Sequence, residues 1–143
     1  MLSVKNLTFA DKHASKPALS GVSFDVREGE IVTIAGIGGN GQDELVDVIT
    51  GNVKATSGSI FMNGEDITGA SIRRRNDLGI GLIPVDRLRD AIIGNFNMTE
   101  NMILKRYYEP EFSPKGILDT KHSEEYAERL MEEYDVRTLA GTE

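Results

Sequence analysis

The densest candidate chemistry in the sequence is the run Gly36-Ile37-Gly38-Gly39-Asn40-Gly41-Gln42-Asp43-Glu44, in which four of the six residues from 36 to 41 are glycine. Glycine tolerates positive φ and lets the backbone approach a ligand closely. Ahead of it, Ile31-Val32-Thr33-Ile34-Ala35 is continuous and largely β-branched, which predicts a strand buried on both faces, as in a parallel sheet. Behind it, Leu45, Val46, Val48 and Ile49 form an apolar helical stripe that Gly51 can close. A strand, a glycine loop and a helix in that order aim backbone N–H groups and the helix dipole at an anion. The chemistry predicted is phosphate binding; a glycine-rich turn that binds nothing is the plainer alternative.

Two loop patterns fit. Gly36, Gly38 and Gly41 satisfy G-x-G-x-x-G, the dinucleotide fingerprint. Gly36 and Gly41 also match the ends of G-x-x-x-x-G-K-[ST], the phosphate loop of nucleotide triphosphatases. The next strand, Gly58-Ser59-Ile60-Phe61-Met62, runs into Asn63-Gly64, the strongest short hairpin signal. An antiparallel return through Glu65-Asp66-Ile67 weakens the dinucleotide reading, although Glu65 lies at the distance at which that fold places a ribose-binding acid.

Around this loop, Leu2, Val4, Leu7 and Phe9 read as one strand, and the alternation Val22-Phe24-Val26 as a second, half-buried one. Asp11 to Pro17 is turn-like. Arg73-Arg74-Arg75 reads as a solvated helix face, with an interface role as the sharper alternative. Towards the end, Thr99 can cap a short helix through Leu104, residues 107–116 read as a loop, and an amphipathic helix runs from about Asp119 to Tyr134. Tyr126, Ala127, Leu130, Met131 and Tyr134 share one of its faces.

The chain's 143 residues suit one ordinary domain. Its 16 basic and 23 acidic side chains, a formal net of -7, argue against a general nucleic-acid binder. Residues 1–99 hold 10 basic and 12 acidic side chains against 6 and 11 in 100–143, so acidity concentrates in the last third. There is no cysteine, hence no disulfide, thiolate metal site or cysteine nucleophile. His13 and His122 stand alone, and no metal site is expected. No apolar run reaches the ~18 residues of a membrane span, and no secretory apolar segment opens the chain. The sequons Asn6-Leu7-Thr8 and Asn97-Met98-Thr99 therefore have no secretory context. A cytosolic setting is the default.

In order, Ala18-Leu19-Ser20-Gly21-Val22-Ser23-Phe24, Glu28-Gly29-Glu30-Ile31-Val32, the glycine loop, Ser57 to Ile67, Gly79-Ile80-Gly81-Leu82-Ile83-Pro84-Val85-Asp86-Arg87 and Met98-Thr99-Glu100-Asn101-Met102 resemble the nucleotide-binding domain of an ABC transporter. The resemblance covers roughly residues 2–104. Gly39-Asn40-Gly41-Gln42-x-Glu44-Leu45 and the Ile-Pro-x-Asp-Arg segment are similar to the second half of tandem ATPase subunits of simple-sugar and nucleoside importers.

The resemblance implies an α/β fold: a P-loop core with an antiparallel β portion over residues 1–95 and the start of a helical subdomain over 96–143. It implies ATP and Mg²⁺ as cofactors of a parent transporter. Its implied partners are transmembrane permease subunits, the other nucleotide-binding half and, indirectly, a solute-binding protein. The location implied is peripheral, at the inner face of the cell membrane. The implied nucleotide site is Gly36, Gly38, Gly39, Asn40, Gly41, Gln42, Asp43 and Glu44. Phe9 matches the aromatic that stacks on adenine, with a core role as its alternative. Val85 stands where the family places the glutamine that contacts Mg²⁺ and the attacking water; simple apolar packing is its plainer reading.

The departures bear on activity. A working phosphate loop has Lys and then Ser or Thr after its last glycine; here Gln42 and Asp43 stand there. Gln42 brings a donor but no charge. Asp43 can ligate a hard cation, yet it puts negative charge beside phosphates. Asp86 and Arg87 are expected to pair locally. The family's Leu-Ser-Gly-Gly signature, its apolar strand ending in Asp-Glu and its switch histidine are absent from the sequence, which reads as a fragment of a larger subunit whose sheet lacks central strands and leaves an edge prone to pairing. Weak or no nucleotide binding, no catalytic residue and no hydrolysis are expected of it alone. The alternatives from other classes are a non-catalytic dinucleotide- or effector-binding module and a structural interaction domain.

Overall fold

The computed structural model describes residues 1–11 and 16–137. His13 and the end of the chain from Thr138 lie outside the described residues. The chain divides into two compact units, Met1–Leu82 and Ile83–Glu143.

The first unit is built on a four-stranded antiparallel sheet, β1 (Leu2–Phe9), β2 (Leu19–Val26), β3 (Ser57–Met62) and β4 (Glu65–Asp66), in the order β2-β1-β3-β4. β1 pairs with β2 through Leu2↔Val26, Val4↔Phe24 and Phe9↔Leu19, and with β3 through Leu2↔Met62 and Val4↔Ile60. The expected alternation holds in β2, where Val22, Phe24 and Val26 are half-buried between exposed neighbours. Asn63 and Gly64 both take positive φ, 51° and 85°. Such a turn matches the right-handed twist of the strands it joins, and Met62 then faces Glu65 across the hairpin.

Helix α1 (Gln42–Thr50) packs Leu45 and Val48 into a core with Val4, Leu7, Leu19, Ile60 and Ile67. Ile49 is half-buried, but Val46 is exposed, so the apolar stripe is narrower than predicted. Gly51 closes α1 as expected, its N–H donating to the Asp47 carbonyl at 3.0 Å.

The strand expected at Ile31–Ala35 is not formed. Ile31–Ala35 lies outside any strand, with Ile31 94% exposed and Val32 and Ile34 exposed as well. Residues 80–83 are likewise irregular. Strand propensity is local, but a strand needs a partner to satisfy its N–H and C=O groups; among the described residues none pairs with either run.

Helix α2 (Ile72–Asp77) corrects the reading of the arginine run. Ser71 caps it by accepting from the Arg74 N–H. Arg74 reaches Glu65 at 2.8 Å, but Arg75 is only 3% exposed. Its Nη1 donates to the carbonyls of Val48 (3.2 Å) and Ile49 (2.7 Å), Nη2 to Thr68 (3.0 Å) and Nε to Ala70 (3.2 Å). The guanidinium thereby caps the negative end of α1 and ties it to the turn after β4. Burial pushes its pKa below the usual arginine value.

The second unit contains α3 (Arg87–Asp90), α4 (Met98–Ile103) and α5 (Thr120–Glu133). Asp86 does not pair with Arg87. It caps α3 through the Arg89 N–H, and Arg89 pairs with Asp90. The cap of α4 is Asn97 rather than Thr99: Asn97 Oδ1 accepts from Glu100 N at 2.8 Å and Glu100 Oε2 accepts from Asn97 N at 2.9 Å, a complete capping box. Asp119 caps α5 through the His122 N–H, and Tyr134 ends it. On its predicted apolar face Ala127 is fully buried and Tyr134 is exposed. Phe112 is also fully buried, with Tyr126 edge-on at 4.9 Å. Arg106 lies over both rings while bonding Glu109, Glu111 and the Tyr126 hydroxyl. The Glu109 carboxylate, then that hydroxyl, raise the Arg106 pKa further above its usual value. His122 is bonded to Glu111 at 3.2 Å, not isolated.

Candidate functional site: a glycine loop at a helix N-terminus

The loop from Gly36 to Gly41 ends at the first turn of α1. Gly41 is the N-cap, at φ 95° and ψ 3°, and no side chain caps the helix there. The first N–H groups of a helix have no intrahelical acceptor, so this end offers donors. Leu45 N donates back to the Gly41 carbonyl at 2.9 Å. A Cβ at residue 41 would sit 2.4 Å from the Ala18 carbonyl oxygen and 3.1 Å from Leu19 Cδ2. The loop therefore rests directly on the start of β2, and only glycine allows that approach.

Gly38 and Gly39 have open space where a Cβ would be, and Gly39 has φ 86°. Residues 36–40 are all exposed. Gln42 folds back over the loop: its Nε2 donates to the Ile37 carbonyl at 3.4 Å, and a Cβ at residue 36 would lie 1.9 Å from that nitrogen. Asp43 is exposed and Glu44 half-buried, both in the first turn of α1. The glycine surfaces and the uncapped helix end fit a phosphate chain. Within residues 36–44 the donors are backbone N–H groups and the side-chain amides of Asn40 and Gln42, none of them cationic.

Phe9 is half-buried and packs against the core. It pairs with Leu19, the residue against which Gly41 rests. Val85 is 94% exposed, which corrects the expectation that it packs. Glu65, the acid on which the dinucleotide alternative depended, is held by Arg74 through both carboxylate oxygens. With β3 antiparallel to β1 and β4, the parallel strand that alternative requires is not formed. Among the described residues no cluster of three or more His, Asp or Glu could hold a metal ion. No helix among them is long and apolar enough to cross a membrane. Sequence reasoning missed Arg75, which anchors the far end of α1; no local signal distinguishes it from Arg73 and Arg74.

A glycine loop seated between an antiparallel sheet and a helix N-terminus is the arrangement of a cassette-type nucleotide-binding fold. The chain belongs to the ABC transporter family, whose model matches residues 19–143. It is 43% identical over 137 residues to the nucleoside import ATP-binding protein NupA of Lactococcus lactis subsp. cremoris, and 38% identical over 138 residues to the guanosine import ATP-binding protein NupO of Bacillus subtilis. It is 34% identical over 131 residues to the ribose import ATP-binding protein RbsA of Bacillus licheniformis. These alignments cover 96%, 96% and 89% of this chain but 27%, 27% and 26% of the relatives, so the chain spans about a quarter of their length. Among solved structures, the ATP-binding cassette MJ0796 in a dimeric state bound to ADP and Pi shares the fold at a TM-score of 0.76 and 19% identity, covering 99% of this chain and 60% of that one.

Proposed function

We propose that the chain contributes to the ATP-binding subunit of an ABC importer for simple sugars or nucleosides, and that its own phosphate loop is degenerate. The observation that carries the second part is Gln42. It stands where a working loop has its lysine and lies folded over Gly36, with Asp43 in the place of the Mg²⁺-binding hydroxyl. A neutral donor contributes ~0.5–1.5 kcal/mol to a bond, where a charged one contributes ~1.5–3. Nucleotide binding at residues 36–44 is therefore weakened, though the backbone cradle needs no side chain and persists.

In this reading residues 1–95 are the P-loop core with its antiparallel portion, and residues 96–143 begin the helical subdomain. The partners are membrane permease subunits at the inner face of the cell membrane, a second nucleotide-binding half and, indirectly, a solute-binding protein. The relatives named for nucleoside, guanosine and ribose import support the importer class. The parent would use ATP with Mg²⁺, which supplies charge neutralisation at the β- and γ-phosphates when bound. In this chain Gln42 orients the loop, and the side chain of exposed Val85 has no polar atom with which to hold a water or a metal. The expected result is that the purified chain with Mg·ATP releases phosphate no faster than a buffer blank. Release well above the blank, abolished by Gly41→Ala, would contradict the proposal.

A further inference from the structure

Along residues 31–50 the charge inventory is one-sided. From Ile31 through Gln42 no side chain is charged, and α1 then carries Asp43, Glu44 and Asp47 with no basic residue. Asp43 and Glu44 sit in the first turn, where carboxylates interact favourably with the positive end of the helix dipole. They offset the field that would otherwise attract a phosphate. Among the described residues no basic side chain is bonded to residues 36–44, and the side-chain donor at residue 42 is turned inward onto the Ile37 carbonyl. The far end of α1, by contrast, is served by a buried cation, Arg75.

We infer that ATP gains nothing over ADP at this loop, so that the chain holds ADP at least as tightly as ATP. The inference rests on reading residues 36–44 as a nucleotide site. A lysine at position 42 would reach the β- and γ-phosphates and reward the extra charge of ATP. Here residue 42 would offer a γ-phosphate no charge, and Asp43 and Glu44 stand in the same first turn, while the backbone donors of the loop would serve both nucleotides alike.

The test is calorimetric titration of the chain with Mg·ATP and with Mg·ADP, repeated on Gln42→Lys. The expected result is an ADP dissociation constant equal to or below that for ATP. In Gln42→Lys, ATP should move ahead of ADP by about tenfold, since charge-assisted bonds are roughly twice as strong as neutral ones. A native chain that binds ATP more tightly than ADP overturns the inference while leaving the nucleotide site in place. A preference unchanged in Gln42→Lys overturns the assignment to residue 42. Binding of neither nucleotide overturns the nucleotide reading itself, and the inference with it.

Discussion

Arg75→Met is expected to destabilise the Met1–Leu82 unit by about 3–5 kcal/mol, the sum over several buried carbonyls that lose their donor. Methionine keeps much of the length and all of the apolar stem but donates nothing. The carbonyls of Val48, Ile49, Thr68 and Ala70 would lose the donors they now share. A buried group left unpaired costs ~1–3 kcal/mol, and water entering the site would recover part of that sum. Arg75→Lys should recover less than half of the loss, because a single ammonium cannot span both the end of α1 and the turn at residues 68–70. Urea unfolding followed by circular dichroism gives the measurement. A loss below about 1 kcal/mol, typical of an exposed residue, would mean that the guanidinium does not tie these elements together.

Gly41→Ala should have the next largest effect, a loss of about 2–5 kcal/mol from left-handed strain and overpacking together. The new Cβ would meet the Ala18 carbonyl oxygen at 2.4 Å, a backbone atom that cannot rotate away. Either the start of β2 or the first turn of α1 must shift, and both outcomes disturb the loop between them. Gly38→Ala is the contrasting substitution: its Cβ would enter open space, so its cost in stability should stay within about 0.5 kcal/mol, as for surface changes. Comparing the two by urea unfolding separates the steric role of Gly41 from the general flexibility of the loop. Equal losses in the two variants would contradict this account.

The features that sequence made legible are those set by short-range chemistry. Asn63-Gly64 dictated a hairpin because few other dipeptides accept two positive φ values. The 3.6-residue spacing of Tyr126, Ala127, Leu130 and Met131 marked α5 within a residue at each end. The glycine loop and its helix followed from the residue types at 36–51. What was misread depends on partners distant in the chain. Ile31–Ala35 has the composition of a central strand, yet composition cannot supply a neighbouring strand. The burial of Arg75 depends on carbonyls 26 and 27 residues away, so the run of three arginines looked uniform. Thr99 and Asn97 are both acceptable cap residues, and the reciprocal bond with Glu100 selects Asn97.

The central claim is that the backbone of residues 36–43 still forms a phosphate cradle although residues 36–44 supply no cationic side chain. Backbone amide chemical shifts of the ¹⁵N-labelled chain, followed through a titration with Mg·ATP, test it most directly. The predicted result is a set of saturable shifts concentrated at the N–H groups of Gly36 to Asp43, reached only at high nucleotide concentration. Shifts concentrated elsewhere in the chain, or none at any concentration, would contradict it.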